Sequence, residues 1–437
     1  MTASLVAAPP ASLGEQMYAL IRDLYPICRS ITGDGFRETL RRLRQEIPLE
    51  IHEVASGTRV FDWTVPNEWN VRDAYIKNSR GARVVDFRKS NLHVVSYSTP
   101  VQRTLTLAEL KPHLYSLPDH PDWIPYRTSY YQENWGFCLT HRQLLELPDD
   151  EYDVCIDATL APGHLTYGEY YLPGERTDEI LISSHVCHPS LANDNLSGIA
   201  VAAELARQIT AAPRRYSYRF LFIPGTIGSI TWLALHEAQV ARIRHGLVLT
   251  GVGDRGTPTY KASRRGDALV DRAARHVLSH AGGEHTIQDF SPYGYDERQY
   301  CSPGFDLAVG CFMRTPHGQY PEYHTSADNL DFISPASLAD SYAKCLAMLE
   351  ILEQDARYVN QNPKCEPQLG RRGLYTALRG GDLPDHELTL LWVLNLSDGR
   401  HSLLDIAERA GMPFRATRHA AEALVAKGLL RLADSAA

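Results

Sequence analysis

Two histidines and an aspartate stand close together in SSHVCHPSLANDNLSG, residues 183–198. His185 precedes His188 by three residues, and Asp194 follows among asparagines. Neutral imidazole and carboxylate groups are the ligands expected of zinc in proteins. The stretch therefore predicts half of a zinc site. An asparagine-rich turn in which Asp194 caps the next helix would show the same pattern.

A third histidine follows much later, in PEYHTSADN at residues 321–329. A lone histidine followed by Thr-Ser is more often a helix cap or a satisfied polar residue. Together with the first stretch, however, we expect His324 to be a distant metal ligand that arrives from another loop. His188 is a further candidate ligand, because it is close enough to His185 to reach the same metal. Its neighbour Pro189 fits a stiff ligand loop and a plain turn equally well.

Strands and helices alternate from Tyr152 onward, which positions the first histidine. The apolar patterns predict strands at 179–185, 218–224 and 245–253, and helices at 199–209 and 231–243. Such alternation predicts an α/β fold with a mostly parallel central sheet and helices on both faces. Ligands of such folds bind beyond the carboxyl ends of the strands, where His185 stands.

A chain of 437 residues suggests two or three domains. We predict an α/β domain from 1–55 and 131–358. Short β-rich runs such as ARVVDF and NLHVVSYS predict a β-rich insert at 56–130. After a linker rich in Pro, Gly and Asn, residues 359–437 contain three short helical patterns and a closing strand near 431–433, which predicts a winged helix.

Composition narrows the class of protein. The net charge is −8 and 44% of the residues are hydrophobic, which is ordinary for a soluble globular protein. An apolar run of roughly 18 residues, as needed to span a bilayer, is not seen in the sequence, so we expect no membrane partner. The eight cysteines are scattered without a CxxC pair, which favours reduced thiols in the cytoplasm.

The C-terminal segment is nearly neutral. Residues 361–437 contain ten Lys and Arg against nine Asp and Glu, which leaves a charge of +1. A DNA-reading helix usually comes with a basic surface that neutralises phosphates. The pattern therefore disfavours DNA and favours a protein partner or a homo-oligomer bound through the winged helix.

Several long phrases of the chain resemble one family. They are FDWTVPNEWNVRDAYI, IPYRTSYYQENWGFC, CHPSLANDNLSG, GYDERQYCSPG and PEYHTSADN. The chain resembles the co-catalytic zinc aminopeptidases, and most closely the bacterial aminopeptidase-like proteins with a β-rich insert and a C-terminal winged helix. The resemblance implies one or two zinc ions, with His185 and His324 on separate ions and Asp194 bridging them. It also implies Asp254 as a further ligand, although a turn residue fits that position equally well.

One departure from that family concerns the end of the second strand. Peptidases of the superfamily carry two glutamates there, one as general base and one as zinc ligand, whereas this chain has Gly225 and Thr226. We therefore expect one metal position to be weakened and the base to be relocated. Glu297 and Glu322 are the candidate bases, with Asp296 as a further catalytic or substrate-contacting residue. A buried ion network within GYDERQ is the alternative.

Other reactive groups near these motifs have simpler interpretations. Lys261, Arg264 and Arg265 could hold an anionic substrate group, but a solvated run of charges is expected. Cys187 could be a thiolate ligand or a nucleophile, but a packed cysteine at a strand end is expected.

Together these residues predict a zinc-dependent hydrolase that cleaves an amide bond of a small peptide or aminoacylated metabolite. An acyl-transfer or cyclisation enzyme on the same fold is the first alternative, because it needs no base that activates water. A non-catalytic binding protein of peptidase fold is the second.

Overall fold

The computed structural model describes residues 11–375 and 385–433. Its helices are α1 (Ala11–Leu24), α2 (Asp34–Glu46), α3 (Leu107–Leu110), α4 (His141–Glu146), α5 (Gly198–Thr210), α6 (Ile227–Leu235), α7 (Glu237–Val240), α8 (Leu269–His280), α9 (Glu297–Tyr300), α10 (Pro335–Gln354), α11 (Asp385–Leu396), α12 (Leu403–Ala410) and α13 (Phe414–Ala426). Its strands are β1 (Glu50–Ala55), β2 (Arg59–Val60), β3 (Trp63–Thr64), β4 (Glu68–Asn78), β5 (Arg83–Asp86), β6 (Val101–Thr106), β7 (Leu114–Tyr115), β8 (Phe137–Cys138), β9 (Glu151–Ala161), β10 (His164–Leu172), β11 (Glu179–His185), β12 (Ser217–Ile223), β13 (Ile243–Leu249), β14 (Thr259–Lys261), β15 (Thr286–Gln288), β16 (Val309–Met313), β17 (Arg357–Asn360), β18 (Asp398–Ser402) and β19 (Leu430–Leu432).

These residues form two compact units. The first contains the described residues up to Ala268 together with Glu284–Ala343, and the second contains Leu269–Gly283 together with the described residues from Lys344 onward. Within the described ranges, no helix is both long enough and apolar enough to cross a membrane.

The first unit is built on a mixed central sheet in the order β1-β10-β12-β11-β13-β16-β14-β15. The pairs β12–β11, β11–β13 and β13–β16 in its middle are parallel, and antiparallel pairs join β1, β10 and β14 to it. The predicted α/β fold class is therefore confirmed, with a sheet that is mixed towards its edges.

The central strand β11 carries the site. All seven residues of β11 and of its neighbour β12 are buried, as expected for inner strands of a parallel sheet. Helix α5 follows the β11 loop and is buried on nearly every side, since small and aliphatic residues fill it. The β11 carboxyl end is therefore held rigidly between sheet and helix.

A smaller antiparallel sheet in the first unit has the order β5-β4-β9-β6. Strand β4 pairs with β9 over almost its whole length, from Glu68 opposite Ala161 to Asn78 opposite Tyr152. The sequence placed the end of the β-rich insert at residue 130, whereas β9 lies beyond it and belongs to the same sheet. The domain boundaries themselves stay a prediction.

The second unit contains the predicted winged helix, with α11, α12 and α13 and the antiparallel sheet β18-β17-β19. Helix α12 begins with a capping box, in which the side chains of Ser402 and Asp405 each accept the backbone N–H of the other residue. The helix ends at Gly411, which has a left-handed φ of 64°. The three predicted helices and the closing strand are therefore confirmed.

The helix expected at 231–243 differs in its bounds. It is divided into α6, which begins earlier at Ile227, and the short α7. His236 separates them because its backbone leaves helical geometry, with φ −119° and ψ 20°. The earlier start brings the first turn of α6 directly behind the turn at Gly225 and Thr226.

Candidate metal centre

His185, His188 and Asp194 lie together in the loop between β11 and α5. His185 is the last residue of β11, and its side chain is fully buried. Asp194 lies in the irregular helical turn Ala192–Ser197, immediately before α5. One ligand atom from each of the three side chains falls within 4.8 Å of the other two. The loop thus supplies a compact set of metal-capable groups.

His324 completes this set from a distant loop. Its Nε2 lies 3.0 Å from Asp194 Oδ2, while His185 Nε2 lies 2.9 Å from Asp194 Oδ1 and His188 Nδ1 lies 3.2 Å from Asp194 Oδ2. The backbone N–H of Tyr126 donates to the carbonyl of His324 at 2.7 Å and fixes that loop. Three imidazoles therefore converge on one carboxylate, the donor set that suits zinc. The structure brings together the predicted ligands His185, His188, Asp194 and His324.

The burial of these groups sets their charge. Burial lowers the pKa of His185 to about 4 and also lowers the pKa of His324, so both imidazoles are neutral. Burial alone would raise the pKa of Asp194, but the charge of His188 and hydrogen bonds from the histidines hold it well below its usual range. Burial would likewise lower the pKa of His188, but the Asp194 charge raises it well above its usual value. His185, His324 and Asp194 are therefore in the forms in which such side chains bind metal, whereas His188 would first have to release its proton.

Asp328 anchors the backbone of the ligand loop. Its carboxylate accepts the N–H of Asn193 at 2.6 Å and the N–H of Asp194 at 3.0 Å. The amide of Asn195 bridges the loop to the next strand, accepting from Gly251 N–H at 3.1 Å and donating to the Leu249 carbonyl at 3.0 Å. These bonds fix the backbone around Asp194, which is how outer groups orient a metal ligand.

The predicted ligand Asp254 lies outside the cluster. It is buried, and its carboxylate accepts from Asn193 Nδ2 at 2.9 Å, from Thr315 Oγ1 at 2.8 Å and from the N–H of Gly256 at 2.6 Å. Both of its oxygens are thus engaged by protein donors. The structure does not bring Asp254 to the histidines, and its turn role is the one observed.

The turn after β12 is hydrogen-bonded by a carboxylate from a distant segment of the chain. Gly225 and Thr226 stand where the aminopeptidases were expected to carry glutamates, and a Cβ added to Gly225 would lie 3.7 Å from His185 Cβ. Asp296 Oδ1 accepts from the Thr226 N–H at 2.8 Å and from Ser229 Oγ at 2.7 Å. Asp296 Oδ2 is buried without a hydrogen-bond partner among the described residues. Asp296 therefore places a half-satisfied carboxylate at this turn.

The two glutamates proposed as bases have different surroundings. Glu297 is 1% exposed, and its Oε1 lies 2.8 Å from Lys261 Nζ while its Oε2 accepts from the Tyr295 N–H at 3.1 Å. Glu297 is thus in a buried ion pair, but its partner is Lys261 of β14 and not a residue within GYDERQ as the alternative supposed. Glu322 is half-buried in the His324 loop, where its backbone carbonyl accepts from Thr325. Of the two, Glu297 is committed to a structural ion pair.

The surroundings of the basic residues near Lys261 and of Cys187 distinguish their alternative interpretations. Arg264 and Arg265 are exposed and pair with Asp306, as a solvated run would. Lys261 was expected to belong to that run, but this was wrong, because β14 buries it against Glu297. Cys187 is packed as expected, with its sulfur accepting the Gly225 N–H at 3.3 Å.

Sequence reasoning missed the aromatic residues around Asp194. Tyr295 OH donates to Asp194 Oδ2 at 2.9 Å, and its ring stacks on His185 with centroids 4.3 Å apart. Tyr323 stacks on His324 with centroids 3.9 Å apart. Both tyrosines stand next to singled-out residues in GYDERQ and PEYH, so their position in the sequence was the available signal. The imidazole of His317 lies 5.1 Å from the Tyr295 ring, and nothing in its sequence context marked it.

Two families match the chain. Residues 18–355 match the family described as "Domain of unknown function (DUF4910)", and residues 356–432 match a winged helix-turn-helix family. A protein of Clostridium acetobutylicum with the provisional name of polysaccharide biosynthesis protein with aminopeptidase-like domain is 54% identical over 420 residues, which cover 96% of each chain.

Solved structures show the same fold. A crystal structure of a provisionally named peptidase from Clostridium acetobutylicum is 52% identical over 97% of each chain, with a TM-score of 0.93. BSAP, a zinc aminopeptidase from Bacillus subtilis, is 14% identical with a TM-score of 0.58, over 80% of this chain and 96% of that one. A peptidase M28 precursor from Shewanella amazonensis is 12% identical with a TM-score of 0.54, over 78% and 96%. The aminopeptidase-like fold and the winged helix predicted from the sequence are confirmed.

Proposed function

Since the chain belongs to the DUF4910 family and combines an aminopeptidase-like fold with a winged helix, we propose that it is a zinc-dependent hydrolase. Its substrate in this proposal is the amide bond of a small peptide or aminoacylated metabolite. The observation that carries the proposal is the convergence of three imidazoles on the Asp194 carboxylate beyond the carboxyl end of β11. Such a position is the usual one for a site in an open α/β sheet.

His185, Asp194 and His324 would hold the zinc, and His188 offers one more nitrogen. The donor chemistry fits the ion, since neutral imidazoles and an ionised carboxylate are buried together with their backbone held by Asp328. Bound zinc supplies a Lewis acid that polarises the carbonyl group of the amide. The surrounding protein shields this region from bulk water, because His185 and Asp194 are almost completely buried.

Hydrolysis also needs a group that takes a proton from the attacking water. Asp296 is the side chain that fits this role best in the proposal. Burial raises its pKa to about 6, close to the pH at which it would work, and its Oδ2 is left without a partner among the described residues. Glu322 is the second candidate, whereas the ion pair with Lys261 keeps Glu297 from that role.

Acyl transfer or cyclisation at the same site is a second candidate function. The observation that favours it is the pair Gly225 and Thr226 at the end of β12, where neither side chain can accept a proton from water. In such a reaction an amine of the substrate attacks the carbonyl, so no water is consumed. Hydrolysis in ¹⁸O-labelled water incorporates one label into the product acid, whereas transfer or cyclisation incorporates none.

The winged helix is proposed to bind a protein, either another chain of this kind or a different partner, and not DNA. On α13, Arg415 Nε lies 3.1 Å from Glu350 Oε2 and Arg418 is buried against the same carboxylate. Two cations of this helix are therefore neutralised within the second unit. Light scattering on the purified chain tests for an oligomer, and a DNA-binding titration at low salt should show no affinity that salt removes.

We place this activity in the cytoplasm. All eight cysteines are free thiols, and five of them are buried, although Cys28, Cys155 and Cys365 have more exposure. Free thiols throughout a chain of this length suit a reducing compartment.

The proposed function is tested by metal content together with amide turnover. The chain is purified without added zinc and measured by elemental analysis as wild type, as His185→Ala and as His285→Ala, whose exposed histidine serves as the control. We expect bound zinc in the wild type and the control, and a loss of zinc in His185→Ala. A screen of aminoacyl amides should then reveal turnover that a chelator removes and zinc restores.

The outcomes separate the candidates. A wild-type chain without zinc would overturn the proposal and favour a non-catalytic binding protein. A zinc-loaded chain that forms a cyclised or transferred product would favour the second candidate function.

A further inference from the structure

Tyr295 is hydrogen-bonded to the Asp194 carboxylate. Its phenol donates to Asp194 Oδ2 at 2.9 Å, and its ring lies parallel to the His185 imidazole with an interplanar angle of 13°. A second phenol, Tyr323 OH, lies 2.8 Å from Tyr295 OH. The carboxylate oxygen that faces away from His185 is therefore bound by a protein hydroxyl as well as by histidines.

A buried ion pair fixes Tyr295 in this place. Glu297 accepts the Tyr295 N–H through Oε2, and its Oε1 lies 2.8 Å from Lys261 Nζ. The same Lys261 ammonium donates to the Tyr293 carbonyl at 2.6 Å. Lys261 and Glu297 are only 3% and 1% exposed. This buried pair fixes the backbone at Tyr293 and Tyr295, while the Tyr295 phenol donates to Asp194.

A second metal ion would need a further carboxylate beside the histidines, and neither Asp254 nor Asp296 belongs to the group of metal-capable side chains around Asp194. Asp254 is bound by Asn193, Thr315 and Gly256 and lies outside the histidine cluster. Asp296 uses one oxygen for Thr226 and Ser229, and it too lies outside that cluster.

We infer that the site holds one zinc ion, and that Tyr295 is the positioning residue that keeps Asp194 from bridging to a second ion. This inference rests on the proposed zinc binding. In this site the Tyr295 phenol supplies the hydrogen bond that orients Asp194 as a ligand of a single metal. Removing such an outer-shell hydrogen bond typically weakens metal affinity by roughly 10–100-fold.

The test counts zinc and measures its affinity without any substrate. The full chain is stripped of metal, titrated with zinc and analysed by native mass spectrometry, and its Kd is measured against a competing chelator. The number of zinc ions at the site is the difference in bound zinc per chain between the wild type and Asp194→Ala. Tyr295→Phe is compared with Tyr293→Phe, because Tyr293 lies in the same loop with 74% of its side chain exposed.

We expect one zinc per wild-type chain at saturation. Tyr295→Phe should still bind one zinc, with a Kd about 10–100-fold higher, while Tyr293→Phe should match the wild type. With Co²⁺ in place of zinc, the visible absorption bands should shift in Tyr295→Phe and stay unchanged in Tyr293→Phe, because only the former alters the orientation of a ligand. If Tyr295→Phe fails to fold by circular dichroism, Tyr323→Phe removes only the hydroxyl that supports Tyr295 and should raise the Kd less.

Two results would overturn the inference while leaving zinc binding intact. The first is the loss of two zinc ions on Asp194→Ala. The second is a Kd and a Co²⁺ spectrum that are unchanged in Tyr295→Phe and Tyr323→Phe. A wild-type chain that binds no zinc at the site would instead overturn the proposed function itself.

Discussion

The carboxylate of Asp296 accepts a hydrogen bond from the backbone N–H of Thr226 at 2.8 Å. The two residues are 70 positions apart, and Thr226 belongs to the turn after β12 that carries no acidic side chain of its own. A carboxylate reaches this turn from the GYDERQ segment instead. Gly225 beside Thr226 lies against Cys187 and His185, so this turn retains a carboxylate with a different connection to the backbone.

Asp296→Asn should abolish most amide hydrolysis. Asparagine keeps an oxygen for the Thr226 N–H and the Ser229 hydroxyl but cannot accept a proton from water. Loss of a positioned general base typically lowers kcat by roughly 10²–10⁴-fold. Turnover of the best amide from the screen is measured for this variant and for Asp289→Asn, whose carboxylate is exposed in the neighbouring segment. Zinc content should be equal in both, and an Asp296→Asn chain with wild-type turnover would remove Asp296 from the mechanism.

The pH dependence of stability should carry the signature of the same carboxyl group. Burial raises the pKa of Asp296 from 3.8 to about 6, so the folded chain binds its proton more tightly than the unfolded chain does. Stability from this group is therefore fully present below about pH 4 and is lost as the pH rises to about 6, by roughly 3 kcal/mol. Urea unfolding of the wild type and of Asp296→Asn between pH 4 and 7 measures the difference. A difference that does not change with pH would contradict the raised pKa.

Asp328→Asn should loosen the ligand loop. The two oxygens of Asp328 accept the N–H groups of Asn193 and Asp194, and an amide in their place would turn an NH₂ group towards one of these donors. A buried donor left without an acceptor costs about 1–3 kcal/mol. We expect lower stability by that amount in chemical unfolding and weaker zinc binding. Asp331→Asn in the next turn, where the residue is exposed, is the matched control.

Much of the fold could be predicted because its signals are local. The seven buried residues of β11 are bounded as the sequence predicted, and α12 begins at a capping box and ends at a glycine. Other features depend on pairings between distant segments. The pairing of β9 with β4 joins residues more than 70 positions apart, so its place in the smaller sheet could not be read from either strand alone.

The site shows the same division. His185 and Asp194 were predictable because they stand at a strand end and before a helix, where sheets of this class place ligands. The hydrogen bond from Tyr295 to Asp194 spans 101 positions, and the ion pair of Lys261 with Glu297 spans 36. Residue types alone described Lys261 as part of an exposed basic run, because only the folded chain shows which lysine is buried against an acid.

Glu350→Gln should destabilise the second unit more than its single lost charge suggests. Glu350 is 2% exposed on α10 and pairs with Arg415 and Arg418 of α13, and Arg418 is itself buried. Breaking a buried pair leaves the Arg418 guanidinium desolvated without its partner, which typically costs about 3–5 kcal/mol. Thermal unfolding of Glu350→Gln is compared with Glu422→Gln, whose half-exposed carboxylate lies 3.4 Å from the same arginine. If both variants unfold at the wild-type temperature, the α13 arginines are not neutralised by Glu350, and a phosphate-binding role for that helix regains support.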